Sequence, residues 1–171
     1  DYGDPWATRR ADHHRERLSP LTRRSAVQEI PGGSEIIFEG QHPGNPSDFE
    51  MVWLTWKQRV LLRDGLPYVE FVTEVDWDTY NRRIRIAFPT TARGDHGDYE
   101  IPYGTIRRGR YEPTYEANGV NGDWPAIHWA APAGNNTRVA IINRGECSYR
   151  IEDGTVLVSL LRSPGSPWCL H

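Results

Sequence analysis

Two aspartates flank a tryptophan in "EVDWDTYNRRIRIAFP" (Glu74 to Pro89), and a run of arginines follows. Two placed carboxylates could share acid–base work, one giving a proton and one taking it. Strand alternation offers a second explanation. Val69, Phe71, Thr73, Val75 and Trp77 would share one face, with Glu70, Glu74 and Asp76 on the other. Downstream, Arg82, Ile84, Ile86 and Phe88 share a face, and Arg83 and Arg85 share its opposite. A hairpin with Asp78 to Asn81 as its loop sets Val75 against Ile84, Thr73 against Ile86 and Phe71 against Phe88. It also sets Asp76 against Arg83 and Glu74 against Arg85. Such cross-strand pairs contribute roughly 0.2–1 kcal/mol each. Asp76 and Asp78 therefore read as the shoulders of a hairpin, Trp77 goes to the core, and no catalytic residue is predicted.

The remaining reactive side chains form no complete set. His96-Gly97-Asp98 could supply two zinc ligands, but it lies in the glycine-rich turn "TARGDHGDYE" with no second cluster to complete four. In Asp12-His13-His14 the adjacent histidines diverge on a helix or a strand alike. Ser159 and Ser163 lack a nucleophile-elbow glycine pattern, and no phosphate-cradling loop appears. A metal site is therefore not expected. A histidine and a carboxylate converging in a cleft would need His128 with Glu100. An aromatic face suits the apolar face of a sugar ring, so the tryptophans are contact candidates as well as core residues. Trp124, in the loop "NGDWP", is the better candidate for a contact surface.

The elements that must position these residues are short and β-rich. The chain has 171 residues and a formal charge of -3, enough length for a real core and no global basic field to hold nucleic acid. Of two cysteines, Cys147 and Cys169, neither lies in a metal-ligand or disulfide-framework spacing, so both read as reduced thiols. No apolar run approaches the roughly 18 residues of a membrane span. The opening "DYGDPW" lacks a methionine and reads as an excised or processed segment, and Asn135-Asn136-Thr137 has the form of a glycosylation acceptor. A soluble protein follows, cytoplasmic rather than secreted. Gly (16) and Pro (13) punctuate the chain closely. "SEIIFEG" and "MVWLTWKQRVLL" read as strands, the second ending at the turn "RDGLP". "HPGNPSDF" and "TYEANGVNGDWP" read as loops, and Ala7 to Arg17 as a solvated helical turn. "RVAIIN" and "TVLVSLL" read as central strands covered on both faces. The sum is a single all-β domain over residues 1–171, an antiparallel β-sandwich.

The ordered series "DGLPYVEFVTEVDWDTYNRRIRIAFP", "YEIPYGTIRR", "DWPAIHW" and "VAIINRGECSYRIEDGTVLVSLLRSP" resembles the C-terminal β-rich region of glycoside hydrolase family 38, the α-mannosidases. The likeness covers Trp53 to Pro164, and "DYGDPW" resembles a loop of bacterial members. The chain departs from many members at "NGVNGDWPAIHWAAPAGNN", where they have a longer aromatic and acidic segment. The resemblance implies a supersandwich of the galactose mutarotase type. It also implies that the aspartate nucleophile, and a zinc ion held by two histidines and two aspartates, lie in an α/β barrel preceding Asp1, followed by helical segments. This piece would then carry no cofactor of its own. It would pack on the barrel and helical domains and help complete the site for a carbohydrate substrate. In some members an arginine of the β region reaches the sugar, and Arg162, closing "TVLVSLLRSP", matches that position. Val156, Val158 and Leu160 alternate onto one face, with Arg162 next along it. Substrate-binding roles therefore fall to Arg162 and Trp124. Two other readings compete with this one: a free-standing carbohydrate-binding module, marked by exposed tryptophans on one sheet face, and a self-sufficient enzyme built on His128 and Glu100.

Overall fold

The computed structural model describes residues 17–42, 53–78, 82–92, 94, 96–109, 123–134 and 139–163. Asp12-His13-His14, the Asn135 triplet, Cys169, the loop "HPGNPSDF" after its His42 and most of the expected helical turn fall outside these residues, as does most of "TYEANGVNGDWP". After a 3-10 turn at Ser19–Leu21 the described chain is antiparallel strand, and it divides into two compact units at Tyr80/Asn81.

The first unit is a four-stranded meander in the order β1 (Thr22–Ile30), β2 (Gly33–His42), β3 (Trp53–Arg63) and β4 (Val69–Asp78). Turn chemistry dictates its hairpins. Pro31 presets φ for the first turn, and Gly32 takes the positive φ of 74° that follows it. The β3–β4 turn has Gly65 at φ 73°. Gly40 lies opposite Trp56 in the β2–β3 register, and a Cβ there would stand 2.0 Å from the indole. The ring of Trp56 therefore lies flat over the bare glycine backbone.

The second unit is the sandwich. One sheet runs β5 (Arg82–Pro89), β12 (Thr155–Ser163), β11 (Ser148–Glu152), β8 (Trp124–Pro125). The other runs β10 (Ile141–Ile142), β9 (Trp129–Pro132), β6 (Gly97–Ile101), β7 (Gly104–Arg108). Tyr99 and Ala130 from one sheet meet Trp124, Tyr149, Ile151, Val156 and Val158 from the other in a single buried cluster. Asp153 and Gly154, both at positive φ, make the tight β11–β12 turn that a right-twisted hairpin favours.

Two sequence expectations are overturned. The first is the β4–β5 hairpin, since these strands belong to different sheets and different units. β4 pairs with β3, which sets Glu74 opposite Lys57 and Asp76 opposite Thr55, while β5 pairs with β12. Complementarity alone did not choose the partner, because β3 also sets Lys57 opposite Glu74, and Trp56 and Val60 opposite Val75 and Phe71. The second is "RVAIIN" as a central strand. Only Ile141–Ile142 pair, at the sheet edge, and Ile142 is exposed. "TVLVSLL" does lie inside its sheet, but Val156 and Val158 are buried on one face while the other carries charge.

Candidate functional site

The charged face of the β5–β12–β11–β8 sheet gathers most of the unit's half-buried ionic groups. Arg83 and Arg85 alternate onto it from β5, on the face away from Ile84, Ile86 and Phe88. Asp123, immediately before β8, receives both: Arg83 Nη1 donates to its Oδ2 at 2.6 Å and Arg85 Nη2 to the same oxygen at 2.5 Å. The side chains are only 11, 21 and 13 % exposed for Arg83, Arg85 and Asp123 respectively. Burial pushes the Arg85 guanidinium below its ordinary value, and the Asp123 charge pulls it back up. Oδ1 of Asp123 is buried without a hydrogen bond. Arg150 from β11 stands on the same face, buried, with Nε 3.3 Å from Glu152 Oε2 at ion-pair distance but outside hydrogen-bond geometry.

Arg162 arrives at this face by a route that alternation alone does not predict. The β12 register shifts between Ser159 and Leu161. Beyond that bulge Leu161 is opposite Ile84 and Arg162 is opposite Arg83. The extra residue moves Arg162 off the Val156/Val158 face and into the arginine row, where it is half-buried. Asp123 was missed for a related reason. Glu74 and Asp76 were nearer in sequence, and the only signal for Asp123 was an acid adjoining a core tryptophan.

Trp124 is a correction. It forms the start of β8, is 3 % exposed, and belongs to the core cluster. Its Nε1 donates to Gly109 O at 2.8 Å, and Arg108 covers the ring with its Cζ 4.6 Å from the centroid. No face of the indole is left for a sugar. The loop reading failed because a two-residue strand is too short to show alternation.

His128 and Glu100 do meet. The backbone N–H of His128 donates to Glu100 Oε2 at 2.8 Å, and its Nδ1 lies 3.2 Å from the same oxygen. The His128 carbonyl accepts from the buried Tyr149 hydroxyl at 2.9 Å, and Asn143 Nδ2 donates to that hydroxyl. Burial pushes the Tyr149 hydroxyl up to about 12, as suits a fixed donor. The imidazole itself is 59 % exposed, at the surface. This network anchors the segment before β9.

The His96-Gly97-Asp98 triplet is organised for packing. Arg107 takes both carboxylate oxygens of Asp98, at 2.7 and 3.0 Å, and holds its carboxyl below the usual value. A Cβ at Gly97 would stand 2.0 Å from Ile151 Cδ1 and 3.0 Å from Ala131 O. The glycine lets the two sheets approach. Among the described residues no group of three His, Cys, Asp or Glu side chains is placed to hold a metal ion. Asp76 and Asp78 are exposed.

Residues 1–169 match the family model described as the glycosyl hydrolases family 38 C-terminal domain. Among curated proteins the chain is 30 % identical over 115 residues to alpha-mannosidase 2C1 of Mus musculus and 31 % identical over 117 residues to that of Homo sapiens. It is 29 % identical over 117 residues to alpha-mannosidase G of Dictyostelium discoideum. Each alignment covers 64 % of this chain and 10 % of the relative.

Proposed function

This chain belongs to the glycosyl hydrolases family 38 C-terminal domains, those of the family's α-mannosidases, and from that premise we propose that it is a non-catalytic β-domain of a larger, zinc-dependent, retaining α-mannosidase. It packs on the catalytic barrel and helical domains of its parent protein and helps complete the site for an α-mannoside. The observation that carries the reading is the match of residues 1–169 to the family's C-terminal domain, in a chain whose alignments span a tenth of the curated relatives. The chain's own chemistry agrees with that division of labour. Glycoside hydrolysis needs two carboxylates flanking one bond. Here Asp98 and Asp123 are consumed by arginines, and Glu100 holds a backbone amide. On this reading the zinc would be held in the rest of the parent; here Arg107 takes both oxygens of Asp98, which leaves the His96–Asp98 pair a poor fit for it.

The residue proposed to reach the sugar is Arg162. It stands at the exit of β12, and a guanidinium presents a fixed fork of donors suited to sugar hydroxyls. Among the described residues the binding-module reading finds no support, since Trp56, Trp77, Trp124 and Trp129 are all at least half-buried. The Arg162→Ala parent protein tests the contact. Losing a charge-assisted hydrogen bond costs about ten- to a hundredfold in kcat/KM, with Arg162→Lys nearly as damaging. A near-normal kcat/KM with a lowered Tm would make Arg162 a structural member of the arginine face.

A further inference from the structure

The two faces of the β1–β4 meander have opposite chemistry. On one, ion pairs cross the strands: Arg24 to Glu39, Lys57 to Glu39, Arg59 to Glu35 and Arg63 to Glu70. That face carries the sheet's charge, with Glu35 and Leu61 buried among the pairs. On the other, the register sets one row of apolar side chains across all four strands, flanked by rows in which Glu29 and Ser34, or Gln58 and Thr73, stand beside apolar neighbours. Val27, Ile36, Val60 and Phe71 form one row across all four strands, and Leu62 and Val69 continue it on β3 and β4. Beyond them lie the half-buried Phe38, then Trp56 with Val75, then the buried Leu54 with Trp77, so the exposed part of the face is its Val27, Ile36, Leu62, Val69 and Phe71 end. Val27 is 72 % exposed and Leu62 58 %, and Ile36, Val69 and Phe71 are exposed beside them.

A sheet whose one face is apolar is stable as one layer of two. Contiguous exposed apolar rows, backed by a charged face, mark a surface that another surface covers. The curated relatives align with this chain over only a tenth of their length, so a large amount of parent polypeptide is at hand to supply the cover. We propose that the Val27–Ile36–Val60–Phe71 face is a docking surface for the parent protein itself. It takes an apolar face of a secondary-structure element from outside these 171 residues and closes with it into a second two-layer core. This rests on the reading of the chain as one domain of a longer protein, and it names the face by which that domain is held.

The test is photo-crosslinking in the full-length parent. A benzophenone amino acid replaces Phe71 in one variant, Leu62 in a second, and Tyr103, at the tip of the β6–β7 turn, in a third. Cross-linked peptides are identified by mass spectrometry. Irradiation at Phe71 and Leu62 should join them to parent residues outside this chain, with Tyr103 giving little product. Products within residues 81–171, products between two copies of the protein, or no protein product at either site would each overturn the proposal. If one variant fails to fold, the other carries the test. The readout is independent of turnover. A parent without mannosidase activity that still cross-links outside this chain would remove the functional reading and leave the docking face standing.

Discussion

Gly97 shows at single-residue scale what packing asks of a motif with ligand-like letters. Between a histidine and an aspartate it looked like the spacer of a ligand pair, yet the backbone at this point passes against Ile151 and Ala131. Gly97→Ala should cost about 1–3 kcal/mol, as overpacking does, while His96→Ala stays within about 0.5 kcal/mol because the imidazole is exposed. Thermal melts of the two variants check this, and equal effects would contradict it. Glu35 gives a pH signature. Hydrogen bonds from Arg59 and Gln28 hold its carboxyl below its ordinary value of 4.5. The folded-state value lies below the unfolded one. The stabilisation is therefore full above 4.5 and is lost as pH falls through the lowered value. Tm recorded from pH 6 down to about pH 2 should fall less steeply for Glu35→Gln than for the wild type. Asp98, lowered in the same direction by Arg107, supplies part of the slope that remains.

At the scale of elements, much was legible and the failures share one cause. Strand content, the span of β2 and β3, the turn at Asp64-Gly65 and the alternation within β4 and β5 all followed from local patterning. Partner choice did not, because period-2 complementarity is degenerate. Glu74 is served as well by Lys57 as by Arg85, and nothing local separates the two. The bulge that turns Arg162 to the charged face, and the two-residue strand that buries Trp124, are likewise set by pairing and carry no mark in the alternation. The observed pairing predicts a contrast. Asp123→Asn removes the shared negative charge from between two partly buried guanidiniums and should cost about 3–5 kcal/mol. Asp76→Asn, on an exposed strand position, should change stability by less than about 1 kcal/mol. Comparable losses would restore the discarded hairpin. The β6–β7 turn offers a second check. Tyr103 holds φ 67° while fully exposed, a conformation that costs a side chain and costs glycine nothing. Tyr103→Gly should raise stability by about 0.5–1 kcal/mol, read as an increase in Tm.

For the molecule as a whole, one unit is a sandwich with its own core and a half-buried arginine face, and the other is a meander with one apolar side. The fold class and family were readable because many weak motifs occur in one order. The charged face was not, because Arg83, Arg85, Asp123 and Arg150 come from segments far apart in sequence. The account's central claim is that chemistry resides elsewhere in the parent and that this domain completes it. Hydrolysis of an aryl α-mannoside by the full-length parent and by the 171-residue chain, measured side by side, tests this most directly. The account predicts turnover by the parent and none by the chain, and turnover by the isolated chain would contradict it.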